Sequence, residues 1–212
     1  MAWPPANGLT TQRVPRKDVI LPIYASTTVA APASLIWSTL RDLSAFQTWN
    51  SFCPNATIHS QPKDVPQTEA NLLHFDTSFT FNVVMDASKP SKVTPTRCRV
   101  TDFSTPEAQS GYIPVDILKE DGTYEADLGK VYRIAWTTEG GFVARGLRSE
   151  RFHEIIILGE GQCEVRTWEC QGGVLARAVK YYYKDILKKK FAKWCEDLKR
   201  EAEKRANNGA TG

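Results

Sequence analysis

The stretch from Val174 to about residue 206 constrains this chain more than any other. Apolar residues fall at 175, 179, 183, 187, 191, 194, 198 and 202. Steps of three and four mark one face of an α-helix. Gly172 and Gly173 precede the segment, and Asn207, Asn208 and Gly209 supply its stop. At about 1.5 Å per residue, such a helix crosses an entire sheet. Its apolar stripe needs a broad partner, and the remainder of the chain is rich in strand signals.

The first strand signal is "VILPIYASTTVA", Val19 to Ala30, with the Ile, Val, Tyr and Thr of a pleated surface. Pro32 then suits the first turn of a helix over 32–41, where Leu35, Ile36 and Leu40 recur at helical spacing beside Trp37. A second short helix over 43–49 ends at "NSFCPNAT", whose Asn, Ser and Pro break regularity. In "NLLHFDTSFTFNVVM", residues 71–85, alternation puts Leu73, Phe75, Thr77, Phe79, Phe81 and Val83 on one face. His74 and Asp76 fall on the other, so they read as solvent-facing and not as a catalytic dyad. Strands are also expected over 95–103, 130–138, 149–158 and 162–170, with Gly159-Glu160-Gly161 joining the last two as a hairpin. Residues 104–129 are less regular, and "EDGTYEADLG" within them reads as a small hairpin or a mobile flap.

This order of elements predicts an α+β fold. A curved antiparallel sheet carries two short N-terminal helices at one end and wraps a long C-terminal helix, enclosing a cavity. The expected organisation is a flexible N-terminal tail over 1–18, one domain over 19–206 and a flexible C-terminus over 207–212. Prolines and polar residues in "MAWPPANGLTTQRVPRKD" bury too little surface to order the tail. That stretch also lacks the apolar core of a secretory leader, and no apolar run is long enough to span a membrane. A cytoplasmic location is expected, with Cys53, Cys98, Cys163, Cys170 and Cys195 as reduced thiols. Their spacing does not suit zinc, and no metal or other cofactor is expected. Glycine-rich nucleotide loops and the Gly-x-Ser-x-Gly elbow are absent from the sequence.

Two passages carry a resemblance to a known family. "TTVAAPASLIWSTLRDLSAFQTWN" gives a strand, a proline, a helix with a tryptophan, an aspartate and a second helix ending in tryptophan. "SERFHEIIILGEGQCEVRTWECQGGVLA" gives a strand with a histidine, a glycine turn, a strand ending near a glutamate, then glycines and the long helix. Over about residues 20–205 the chain resembles the START-like (SRPBCC) superfamily, and within it the polyketide cyclase/dehydrase and lipid-transport group. The resemblance implies a helix-grip fold. It also turns inward the faces that carry His153 with Ile155 and Ile157, and Glu169 with Val165 and Thr167. The 104–129 stretch is longer than the resemblance implies.

A buried imidazole and carboxylate close together would shift each other's proton affinity, which suits acid/base work. Such a pair is also a common structural feature, since any buried polar group needs partners. His153, Glu169 and Tyr183, the last a phenol on the helix stripe, are the candidate catalytic residues. Trp49, Phe75, Phe79, Trp136 and Tyr182 are the candidate ligand contacts. Trp37 reads as core.

The expected partner is a hydrophobic small molecule such as a lipid, sterol or polyketide-like compound. The alternative is a cofactor-independent cyclase, dehydratase or isomerase on the same scaffold. Residues 174–205 hold eleven Lys and Arg against five Asp and Glu, although the whole chain carries only +3. This basic face reads first as a solvated surface, with peripheral contact to a membrane or acidic partner as a third reading. No nucleic-acid motif accompanies it, stable membrane insertion is not expected, and the chain is expected to be a monomer or homodimer.

Overall fold

The structure is a computed structural model, and it describes residues 2–140 and 145–209. Seven strands form one antiparallel sheet: β1 (Leu21–Val29), β2 (Asn55–Ser60), β3 (Ser78–Val83), β4 (Thr94–Ser104), β5 (Val131–Thr138), β6 (Arg148–Gly159) and β7 (Gln162–Gly172). Their spatial order is β1-β7-β6-β5-β4-β3-β2. Between β1 and β2 lie α1 (Ala33–Arg41), a 3-10 turn (Leu43–Ala45) and α2 (Phe46–Trp49). A short α3 (Val115–Glu120) interrupts the β4–β5 connection, and α4 (Val174–Gly209) closes the fold.

Several boundaries follow local chemistry. Pro32 is the N-cap of α1. Asp42 ends that helix and caps the next turn by accepting the Ser44 amide at 3.0 Å. Gly161, at φ +68°, makes the β6–β7 hairpin turn. Gly173 has φ +90°, and a Cβ there would stand 2.6 Å from the Gly146 carbonyl oxygen. That contact fixes where β7 ends and α4 begins.

Two expectations change at β2 and β3. The irregular "NSFCPNAT" passage runs straight into β2, which pairs with β3 from Asn55 opposite Asn82. The strand expected over 71–85 is ordered as β only at Ser78–Val83. Before it, the Thr77 amide donates to the His74 carbonyl and Asp76 sits at φ 61°. A left-handed residue breaks the period-two pattern, so parity read through Asp76 does not carry back to Phe75.

Both faces of the sheet are covered. The concave face meets α1, α2 and α4 around a core that includes Ile23, Ile36, Leu40, Phe79, Ile134, Ile155, Val165, Phe191 and Leu198. Helix α4 runs along β1, with Ala30 near its C-terminal end, where the Ala30 amide donates to Glu203. The outer face has its own core of Leu9, Val14, Ile113, Leu118, Tyr124, Ala135, Phe152, Trp168 and Cys170. Residues expected as a flexible tail supply part of it: Leu9 and Val14 are buried, and the Thr10 carbonyl accepts from Trp168 Nε1 at 3.0 Å. The "EDGTYEADLG" segment is neither hairpin nor flap. Its turns place Tyr124 against Phe152 and Trp168. Double coverage explains why β6 is buried continuously from Ser149 to Ile156 and not at alternate positions.

Candidate functional site

Strand parity assembles the site. Arg151 lies opposite Glu169 and Trp136, while His153 lies opposite Thr167 and Ile134. All six side chains point to the concave face, beneath α4. Ring contacts close the space from above. His153 lies between Trp136 and Trp194, with ring centroids 4.3 and 4.6 Å away. Phe79 and Phe81 flank Trp136 at 5.9 and 5.5 Å. Trp49, brought in by α2, meets Trp194 at 6.2 Å. The interior is therefore lined, and largely occupied, by aromatic side chains.

Polar groups are set among these rings. The Arg151 guanidinium stands 3.9 Å from the Phe191 ring centre and 5.0 Å from that of Trp194. Its Nε donates to Thr167 Oγ1 at 3.1 Å. Glu169 accepts from Gln171 Nε2 at 2.7 Å. Among the described residues, Arg151 Nη2, both ring nitrogens of His153, Trp49 Nε1 and Gln171 Oε1 are buried without a protein hydrogen-bond partner. The carboxylate oxygens of Asp102 share that condition but lie on the outer face, beside the bulge in β4.

Burial governs the proton affinities. It holds the His153 imidazole well below its usual range, and the Arg151 charge adds to the effect. Burial raises the Glu169 carboxyl, opposed by its bond from Gln171 and by the Arg151 charge. His153 is thus neutral at pH 7, able to accept a hydrogen bond or proton but not to donate as imidazolium. Burial pushes the Cys53 and Cys195 thiols up to about 12. Neither forms a nucleophilic thiolate at neutral pH.

The structure brings His153, Glu169, Trp49, Phe79 and Trp136 to one interior, and it leaves three expected residues outside. Phe75 is 57% exposed, because the turn around Asp76 carries it off the strand. Tyr182 and Tyr183 are 68% and 44% exposed. The expected apolar stripe of α4 is firmly buried only from Leu187 onward, where the end of α2 and the following turn come against it. His74 pairs with Glu69 at 3.0 Å and Asp76 with Arg99 at 2.8 Å, so they form no dyad. Sequence reasoning missed Arg151, Thr167 and Gln171. Arg151 shares parity with His153, which was the available signal, but charged residues alternate on both faces of β6.

A sheet gripping a long C-terminal helix over an aromatic interior defines a protein of the START-like helix-grip fold. The chain is 30% identical over 189 residues to the oxopyrrolidines biosynthesis cluster protein O of Penicillium oxalicum, covering 84% of each, and it belongs to that protein's family. No family model matches it. Three solved structures share the fold. A hypothetical protein of Helicobacter pylori has TM-score 0.62 at 15% identity, covering 92% of this chain and 97% of its own. The Zhui aromatase/cyclase of Streptomyces sp. R1128 has TM-score 0.57 at 11% identity, with coverages of 87% and 94%. A START superfamily protein of Mycobacterium smegmatis has TM-score 0.51 at 15% identity, with coverages of 88% and 97%. Among the described residues no helix is long and apolar enough to cross a membrane.

Proposed function

We propose that the protein binds a hydrophobic small molecule, lipid, sterol or polyketide-like, between the concave face and α4. The observation that carries this reading is the set of buried, protein-unpartnered polar atoms on Trp49, Arg151, His153 and Gln171 within an aromatic surround. Ligand sites are mostly apolar with a few placed polar groups, and a buried polar group without a partner is costly. A guest that meets those groups removes the cost. Because the rings occupy much of the space, entry requires Trp49 and the adjoining part of α4 to move aside. Native mass spectrometry of the purified protein tests the proposal. A discrete apolar molecule should be retained and then lost on organic extraction. Absence of any adduct, with no saturable uptake of apolar fluorescent probes, rejects it.

A second reading is turnover: a cofactor-independent cyclase, dehydratase or isomerase. It is favoured by His153 and Glu169 sharing the concave face with shifted proton affinities. The family relative is named for a biosynthesis cluster and one fold neighbour for aromatase/cyclase activity. In this reading neutral His153 takes a proton from the bound carbonyl compound, and Glu169, whose proton affinity burial raises, exchanges one with it on the same face. His153→Ala and Glu169→Gln should each abolish product formation, and Glu169→Gln should do so while leaving ligand retention intact. Unchanged turnover removes both residues from the chemistry.

A further inference from the structure

Two arginines are buried on adjacent strands, and the sheet treats them differently. On the outer face, Arg133 Nη2 lies 2.7 Å from Glu154, with both side chains at most 1% exposed. Its Nε reaches the same carboxylate at 2.8 Å, and Nη2 also donates to the Glu125 carbonyl at 2.9 Å. On the concave face, Arg151 is 7% exposed. Among the described residues, its guanidinium makes one hydrogen bond, to the neutral Thr167 hydroxyl, and no ion pair. The carboxylate opposite it in the sheet, Glu169, is bonded to Gln171 instead.

A buried cation is tolerated when a carboxylate and further hydrogen bonds meet it, as they do at Arg133. Arg151 has aromatic faces for company, which contribute cation–π attraction but accept no N–H bond. Nη2 is left with donors that no side chain takes. Arginine is also the side chain best shaped to grip a planar oxyanion with parallel N–H bonds. Resting on the ligand-binding reading above, we infer that Arg151 anchors an anionic oxygen, a carboxylate or an enolate, on a guest whose apolar body lies among Phe191, Trp194 and Trp136.

The test compares 2-naphthoate with 2-naphthalenemethanol, matched aromatic probes that differ in charge, by fluorescence titration at physiological salt. The unmodified protein should bind the acid about tenfold or more tightly than the alcohol, as a charge-assisted bond in a dry site requires. In Arg151→Met the ratio of acid to alcohol affinity should fall to about one, whatever the alcohol's own affinity, and Arg151→Lys should keep part of the preference. Equal affinity for the two probes in the unmodified protein overturns the inference and leaves the ligand-binding reading standing. A preference that survives in Arg151→Met also overturns it, because the basic surface of α4 would then be the source. Binding of neither probe overturns the ligand-binding reading and the inference together. A naphthyl 1,3-diketone separates the two anions. Enolate absorption appearing on binding near neutral pH assigns an enolate, and a diketone that binds without it, beside an intact preference for the acid, assigns a carboxylate.

Discussion

Arg133 and Glu154, neighbours across β5 and β6, form a buried ion pair at 2.7 Å on the outer face of the sheet. Two Glu125 contacts complete it, its carbonyl accepting from Arg133 and its amide donating to Glu154 at 3.1 Å. Removing one member strands the other as an unpaired buried charge. Glu154→Gln should therefore cost about 3–5 kcal/mol, read as a lower urea midpoint at unchanged slope. The double replacement Arg133→Met with Glu154→Leu should recover most of that loss, since neither charge then remains. A double variant as unstable as the single one would show that the pair contributes more than mutual neutralisation.

Arg151 should respond with the opposite sign. Its buried Nη2 lacks a protein partner, and burial already lowers the guanidinium's proton affinity, with the Glu169 charge opposing. Methionine fills a similar volume without a charge to desolvate. Arg151→Met should raise stability by about 1–3 kcal/mol, measured by equilibrium denaturation without ligand. A destabilised Arg151→Met would mean that stacking on Phe191 outweighs the unmet donors, and that Arg151 is held in place by structure alone.

Asp197 gives a third test, away from the interior polar set. This 1% exposed carboxylate of α4 accepts from the Ser51 amide at 3.2 Å and hydroxyl at 2.5 Å, and from Arg200 at 2.9 Å. It fastens α4 to the turn that follows Trp49. Asp197→Ala should cost about 1.5–3 kcal/mol and speed amide exchange at Ser51. If entry of a guest requires Trp49 to move, the variant should also take up apolar probes faster. An unchanged uptake rate would place the entrance elsewhere.

The helix-grip architecture was legible because it rests on periodicity. The α4 stripe, the Gly172-Gly173 boundary and the Gly161 hairpin are local signals that tertiary packing reinforces. Parity likewise brought His153, Glu169, Phe79 and Trp136 to one face. What failed was local regularity broken by a single residue: Asp76 at φ 61° uncoupled Phe75 from the strand. Tyr183 lies in phase with the stripe, yet phase fixes direction and not whether anything stands opposite. The N-terminal segment and Tyr124 pack on the outer face through contacts more than a hundred positions apart in sequence, which no local pattern encodes. Arg151 stayed hidden because its sequence neighbours Glu150 and Glu154 are charged as well, and only the fold shows which charges are answered.

His153 ties stability to pH with a definite sign. An unfolded histidine titrates near 6.5, whereas burial first, and the Arg151 charge second, hold the native imidazole well below that value. Well above pH 6.5 both states are neutral and the residue contributes no pH dependence. Below it the unfolded chain binds a proton that the native state refuses, so stability falls on acidification, by about 1.4 kcal/mol per pH unit, until the native pKa is reached. Glutamine does not titrate. The difference in unfolding free energy between the unmodified protein and His153→Gln should be flat above about pH 7 and slope steadily below about pH 6. Other carboxylates cancel in that difference unless they touch His153. Parallel curves from pH 4 to 7 would mean that the native imidazole charges as freely as the unfolded one. It would then be solvated and not enclosed between Trp136 and Trp194, and the dry interior on which both functional readings depend would be lost with it.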